Sequence, residues 1–198
     1  MLRYSNIGIF AALWFSVMVE GADVTIDLTP GNPAEVDKAL MLFQKQRDES
    51  IAHVQTWLVQ SAEKGDWETA AKCMRSLGDL RANEAAPLVA KYILVSEPEK
   101  DEQGRPKVAW DTPPPMNKFW PAVDALTKMG MDGVRAAQDK LLDPKHNYEE
   151  LVGQVAFVTR SVLGDFAADY TARRVRHAKE ETGKERLGKL AKRLTPGP

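Results

Sequence analysis

The chain has 198 residues, a formal net charge of −1 and one cysteine, so no internal disulfide can staple it. Beyond the first 22 residues about 176 remain, enough for one domain with a sizeable core. The near-neutral total hides an asymmetry between the body and the C-terminal end.

Residues 1–22 read as a secretory leader: Arg3 and the amino terminus supply positive charge, Ile7 to Val19 is almost wholly apolar, and cleavage falls after Gly21 or Ala22. As a helix this run would reach about 20 Å, against roughly 30 Å for a bilayer core. An uncleaved signal-anchor or a hydrophobic N-terminal helix is the alternative. No cysteine follows the run, which argues against a lipoprotein anchor. The expected location is exported, periplasmic or extracellular, with no transmembrane span after cleavage.

Residues 23–65 are expected to hold an extended piece, Asp23 to Leu28, and then a helical cap. The phrase Thr29-Pro30-Gly31-Asn32-Pro33 breaks structure and starts a helix, with Asn32 as cap and Pro33 first in the helix. Val36, Leu40 and Phe43, then Ile51, Val54, Trp57 and Leu58, mark its stripe to about Ser61. Gln44 to Ser50 is polar throughout, so the helix bends there, splits, or projects past the core.

Residues 66–182 carry a phrase that returns with variations. It runs from Ser76 to Val89 (SLGDLRANEAAPLV), from Ala125 to Ala137 (ALTKMGMDGVRAA) and, more weakly, from Ser161 to Tyr170 (SVLGDFAADY). Each copy closes an apolar-striped segment at a glycine, turns, and opens an alanine-rich segment. Gly78, Gly130 and Gly164 fit the left-handed residue just past a helix end. Asn83, Asp132 and Asp165 fit the caps of the following helices, and Pro87 fits a first helical turn. Trp67, Ala70, Ala71, Met74 and Leu77 are expected to face the core. So are Phe119, Val123, Leu126 and Met129, and Leu151, Val155, Val158, Val162 and Leu163.

These phrases resemble HEAT repeats, most closely the short HEAT-like kind, over roughly residues 66–180. The resemblance implies an all-α, right-handed α-solenoid of about three stacked antiparallel helix pairs behind a long N-terminal helical cap. It also implies binding or scaffolding rather than a set reaction. The glycines are 52 and then 34 positions apart, and only the second interval suits an uninterrupted short repeat. A tetratricopeptide junction is the neighbouring reading, carried by Lys64-Gly65-Asp66-Trp67-Glu68-Thr69-Ala70, but Val54 and Leu58 replace that motif's tryptophan and glycine. Either family stacks helix pairs.

The longer interval contains an insertion at 95–116, charged in its first half and rigid at Pro113-Pro114-Pro115. Trp110 beside that stretch is a candidate partner anchor, or it folds back to seal the gap between repeats. From Thr171 to the end, nine lysines and arginines face three glutamates, a net of +6. Residues 183–198 read as a basic helix and tail striped by Leu187, Leu190 and Leu194. Arg173, Arg174, Arg176, Lys189, Lys192 and Arg193 are candidate contacts for a protein or an anionic envelope component. A solvated capping helix is the simpler reading. Nucleic acid is disfavoured by export. Arg81 and Arg135, at nearby places in two copies, are candidates for one shared face.

No catalytic constellation is evident. His53, His146 and His177 are dispersed, without metal-ligand spacing to one another or to Cys73, and no phosphate loop or nucleophile elbow occurs. Cys73 sits on an apolar stripe and reads as core. No cofactor, metal or catalytic residue is assigned, which favours a binding protein over an enzyme. An enzyme accessory such as a lyase-like protein, or an envelope surface-binder using the basic tail, stands as the rival function.

Overall fold

A computed structural model describes residues 14–19, 22–27, 33–96 and 119–195. Two compact units divide the chain, residues 1–50 and 51–198.

In the first unit, strands β1 (Trp14–Val19) and β2 (Ala22–Asp27) pair antiparallel, Trp14 opposite Asp27 and Val19 opposite Ala22. β2 matches the extended piece expected from Asp23. Residues 14–19 of the apolar run are strand, not helix; residues 1–13 lie outside the described set. Helix α1 (Pro33–Glu63) starts at the proline, where the missing N–H is one of the donors a helix leaves unsatisfied anyway. It passes unbroken through the polar stretch, where Lys45 and Glu49 pair at 3.8 Å one turn apart. The helix does not split at that stretch.

The second unit is helical throughout its described residues, so the fold class of the body is all-α. Ile51 and Leu58 on α1 enter its core. Helix α2 (Trp67–Asp79) is capped by Asp66, whose carboxylate accepts from the Thr69 amide at 3.1 Å. Hydrogen bonds from the Thr69 hydroxyl and then from its amide hold the Asp66 carboxyl below the usual aspartate range. A 3-10 turn (Asn83–Ala85) and the short α3 (Ala86–Ala90) follow, with Pro87 in the first turn as expected. Beyond the insertion come α4 (Pro121–Lys128), α5 (Met131–Leu142) and α6 (Tyr148–Leu163). A second 3-10 turn (Gly164–Phe166), α7 (Ala167–His177) and α8 (Glu181–Leu194) complete the described chain.

The turn chemistry differs from expectation in three places. Gly78 lies inside α2, and a Cβ there would stand 2.6 Å from Ala125 Cα, so the glycine serves close packing and not a left-handed cap. The left-handed position is Arg81, at φ 48°, the one non-glycine residue of its kind among those described. Asn83, Asp132 and Asp165 accept no capping hydrogen bond, because Asn83 and Asp165 sit within 3-10 turns and Asp132 lies inside the first turn of α5. Gly130 (φ 64°, ψ −130°) and Gly164 (φ 54°, ψ −128°) do terminate helices, in a region only glycine occupies readily. Each also adjoins the next helical turn, leaving no residue between for a side-chain cap.

Helix α4 packs between α2 and α6, while α5 touches α3, α4, α6 and α8, and α7 lies along α8. Arg75, Asp79, Asp124 and Lys128 tie α2 to α4: Lys128 reaches Asp79 at 2.6 Å and Asp124 at 2.8 Å, and Arg75 reaches Asp124 at 3.7 Å. Bonding to Asp124, then Asp79, raises the Lys128 amine above its ordinary value. Trp67 is not core: it is 45% exposed, its ring edge-on to Tyr92 at 6.4 Å. Cys73 is buried, and burial pushes its thiol up, helped by the charge of Asp66.

Candidate functional site

The C-terminal third is organised around a glutamine. Gln138 replaces an apolar residue on the α5 stripe between Val134 and Leu141, and it is fully buried. Its amide donates to Thr159 Oγ1 at 3.3 Å and to Thr171 Oγ1 at 3.0 Å. Those hydroxyls donate onward to the carbonyls of Val155 and Ala167. Its oxygen accepts from Arg174 Nη1 at 3.3 Å, and Arg174 Nη2 meets Asp139 at 2.6 Å. The network is complete, so α5, α6 and α7 are held in one register rather than merely pressed together.

Two further arginines seat α8, whose Leu187, Leu190 and Leu194 are buried. Arg186 donates to the carbonyls of Leu141 and Asp143 at 3.0 and 2.9 Å, closing the C-terminal end of α5. Arg160 donates to the carbonyls of Arg193 and Leu194 at 3.3 and 3.2 Å, closing the end of α8. A cation at the negative end of a helix satisfies orphan carbonyls and the macrodipole together.

Two hollows border α8. One, of about 520 Å³, has an apolar floor of Leu142, Pro144, Ala178 and Leu187 and a rim of Asp139, Asp143, Arg174, His177, Lys179 and Glu180. Asp143 accepts from the Lys145 amide at 3.0 Å, which with nearby positive charge holds its carboxyl low. The other, a cleft of about 340 Å³ between α6 and α8, is lined by Gly153, Ala156, Phe157, Arg160, Ser161 and Arg193.

The candidate contacts separate on this frame. Arg173, Arg176, Lys192 and Arg193 are exposed and make no ion pair among the described residues. Lys189 pairs with Glu185 at 2.7 Å and lies over the Tyr148 ring. Arg174 is an internal strut, 24% exposed at its side chain and spoken for by Asp139 and Gln138. Arg81 stands in a turn and Arg135 on α5, paired to Asp132 at 3.2 Å, so their local settings differ. Trp110 lies outside the described residues. Sequence reasoning missed Gln138, Arg160 and Arg186. A polar residue on an apolar stripe was the available signal for the first; the two arginines gave none.

Among the described residues no group of three or more His, Cys, Asp or Glu is placed to hold a metal ion. Tyr148–His177 is long and apolar enough to cross a bilayer by length and composition, at a mean hydropathy of 1.2, although Gly164 divides it into two helices. What fold and surface define is a class: an all-α body with an exposed basic end. No protein-family model, curated protein or solved structure matches the chain.

Proposed function

We propose that the protein is an exported HEAT-like repeat module that holds another protein against its basic C-terminal end. The order of packing supports a solenoid: α2, α4 and α6 follow one another on one side, and α3 and α5 on the other. Of the three pairs a solenoid would need, α4 packs on α5 and α6 meets α7, while α3 lies against α4 and α5 instead of along α2. The observation that carries the binding role is that Arg173, Arg176, Lys192 and Arg193 stand exposed without ion pairs on helices that are otherwise firmly seated. Cations left unpaired on a rigid surface are available to an acidic partner. Export rests on the N-terminal sequence; cleavage at Gly21 or Ala22 would remove β1 from its pairing with β2.

The test is capture from envelope extract with the intact chain and with a variant carrying Arg173→Glu, Arg176→Glu and Lys192→Glu. A stoichiometric protein partner retained by the first and lost by the second is the expected result. Capture only of anionic polymer or lipid, released by salt, would replace this reading with that of a surface-binder. The enzyme-accessory reading has one observation in its favour, the 520 Å³ hollow bearing His177, Asp139, Asp143 and Glu180 over an apolar floor. It requires that His177→Ala abolish a turnover which the triple variant retains.

A further inference from the structure

Five residues of α6, Gly153, Ala156, Phe157, Arg160 and Ser161, fall at i, i+3, i+4, i+7 and i+8, so they form one face of the helix. The opposite face, with Leu151, Val155 and Val158, is buried in the core. This outer face is different: Gly153, Ala156 and Phe157 are only half-buried, and Arg160 and Ser161 are exposed. The end of α8 walls it on one side with Arg193, making the cleft of about 340 Å³.

Its chemistry is one-sided. Two guanidinium groups line it and no carboxylate does. Arg160 spends donors of one nitrogen on the carbonyls that end α8, but those carbonyls cancel no full charge and three of its five N–H groups project elsewhere. Arg193 has no ion pair among the described residues, and Lys192 beside it has none either. A guanidinium presents a planar fork of donors that a carboxylate can meet with two parallel hydrogen bonds. Gly153 and Ala156 add little side-chain bulk to the cleft, and Phe157, half-buried and packed against the core, gives it an apolar wall. The volume lies near the lower end for ligand sites, enough for one large side chain and its neighbouring acid groups.

We infer that this cleft takes a short acidic segment of a partner protein, with one apolar side chain set against Phe157 and carboxylates on Arg160 and Arg193. The inference rests on the protein-binding reading above and names the partner's chemistry. A bilayer is the weaker occupant: a membrane would also meet Glu181 and Glu185, which stand 88% and 64% exposed at their side chains on the same helix. A narrow segment avoids both.

The probe is a short dye-labelled peptide with one leucine among glutamates, titrated by fluorescence anisotropy against the full chain. Arg193→Glu should weaken binding about tenfold or more, as expected for an arginine in a desolvated contact. Lys91→Glu, the same charge change on the exposed turn after α3 and off the cleft, should weaken it less than about threefold. Ala156→Phe, which fills the cleft and leaves charge unchanged, should also abolish binding, with circular dichroism checking that the fold is kept. Equal losses from Arg193→Glu and Lys91→Glu would overturn the cleft as a site, as would no binding by the native chain. Binding to phosphatidylglycerol vesicles in place of the peptide, sensitive to Arg193→Glu, would also overturn it. If the peptide fails while the envelope partner is still captured, the cleft is refuted and the scaffold reading stands.

Discussion

The contact of α2 with α4 and that of α6 with α8 are built on opposite plans. In the first, Gly78 brings one helix onto the backbone of Ala125, and the rim is closed by Lys128 shared between Asp79 and Asp124. Nothing fits between the helices. In the second, the end of α8 is tied from outside by Arg160, and a cleft opens beside Phe157. Backbone contact makes a seam, whereas long side chains reaching carbonyls make a span. Where glycine fastens two helices they meet backbone to backbone, and where arginine fastens them a cleft remains.

The largest expected effect breaks the C-terminal region from within. Gln138→Ala removes an amide that serves two threonines and Arg174, and it leaves a cavity, so a loss of about 3 kcal/mol is expected. Urea unfolding followed by circular dichroism reads it as a lowered midpoint.

A pair of glycine substitutions compares the α2–α4 seam with the packing of α8 on α5. At Gly78 an added Cβ meets backbone; strain of about 3 kcal/mol, offset by about 1 kcal/mol of helix propensity, leaves Gly78→Ala destabilised by about 2 kcal/mol. At Gly183 in α8 the added Cβ meets only the Leu142 side-chain end, at 3.2 Å. Gly183→Ala should therefore be neutral or gain up to about 1 kcal/mol. Equal losses at both positions would mean that the two ends are packed alike.

Arg186→Ala should cost about 1 kcal/mol by freeing the carbonyls of Leu141 and Asp143. Hydrogen exchange should quicken at the end of α5 and along α8, and not in α2.

The smallest effect is alkaline. The Lys128 amine is raised in the fold, so its contribution is complete below the ordinary value of 10.5 and fades as pH climbs through the folded one. Arginine does not titrate there. Stability should fall above about pH 10.5 in the native chain and fall less in Lys128→Arg, with the α2–α4 contact responding and the arginine-fastened end of α8 holding.

Much of the helical order was legible in the sequence because apolar spacing and the glycines at 130 and 164 act locally. The misreadings have a shared cause. A Leu-Gly phrase does not reveal whether glycine is present for its backbone freedom or for its missing Cβ, and Gly78 needed Ala125, distant in sequence, to decide. Trp67 was assigned inward by its spacing, yet it begins its helix, where the face is only half covered. The clamps were illegible for the same reason of distance: Arg160 reaches 33 positions ahead to Arg193, and Arg186 reaches 45 back to Leu141. Gln138 alone could have been suspected, since a buried amide on an apolar stripe must find partners.

Arg81 gives the turn after α2 a further meaning. An L-residue in left-handed backbone gives up stability that glycine or asparagine would keep. Directed evolution for heat resistance alone would be expected to replace it early. A lineage that gained melting temperature through Arg81→Gly and lost its partner in the same step would mark this bend as a point where durability and recognition compete for a single residue.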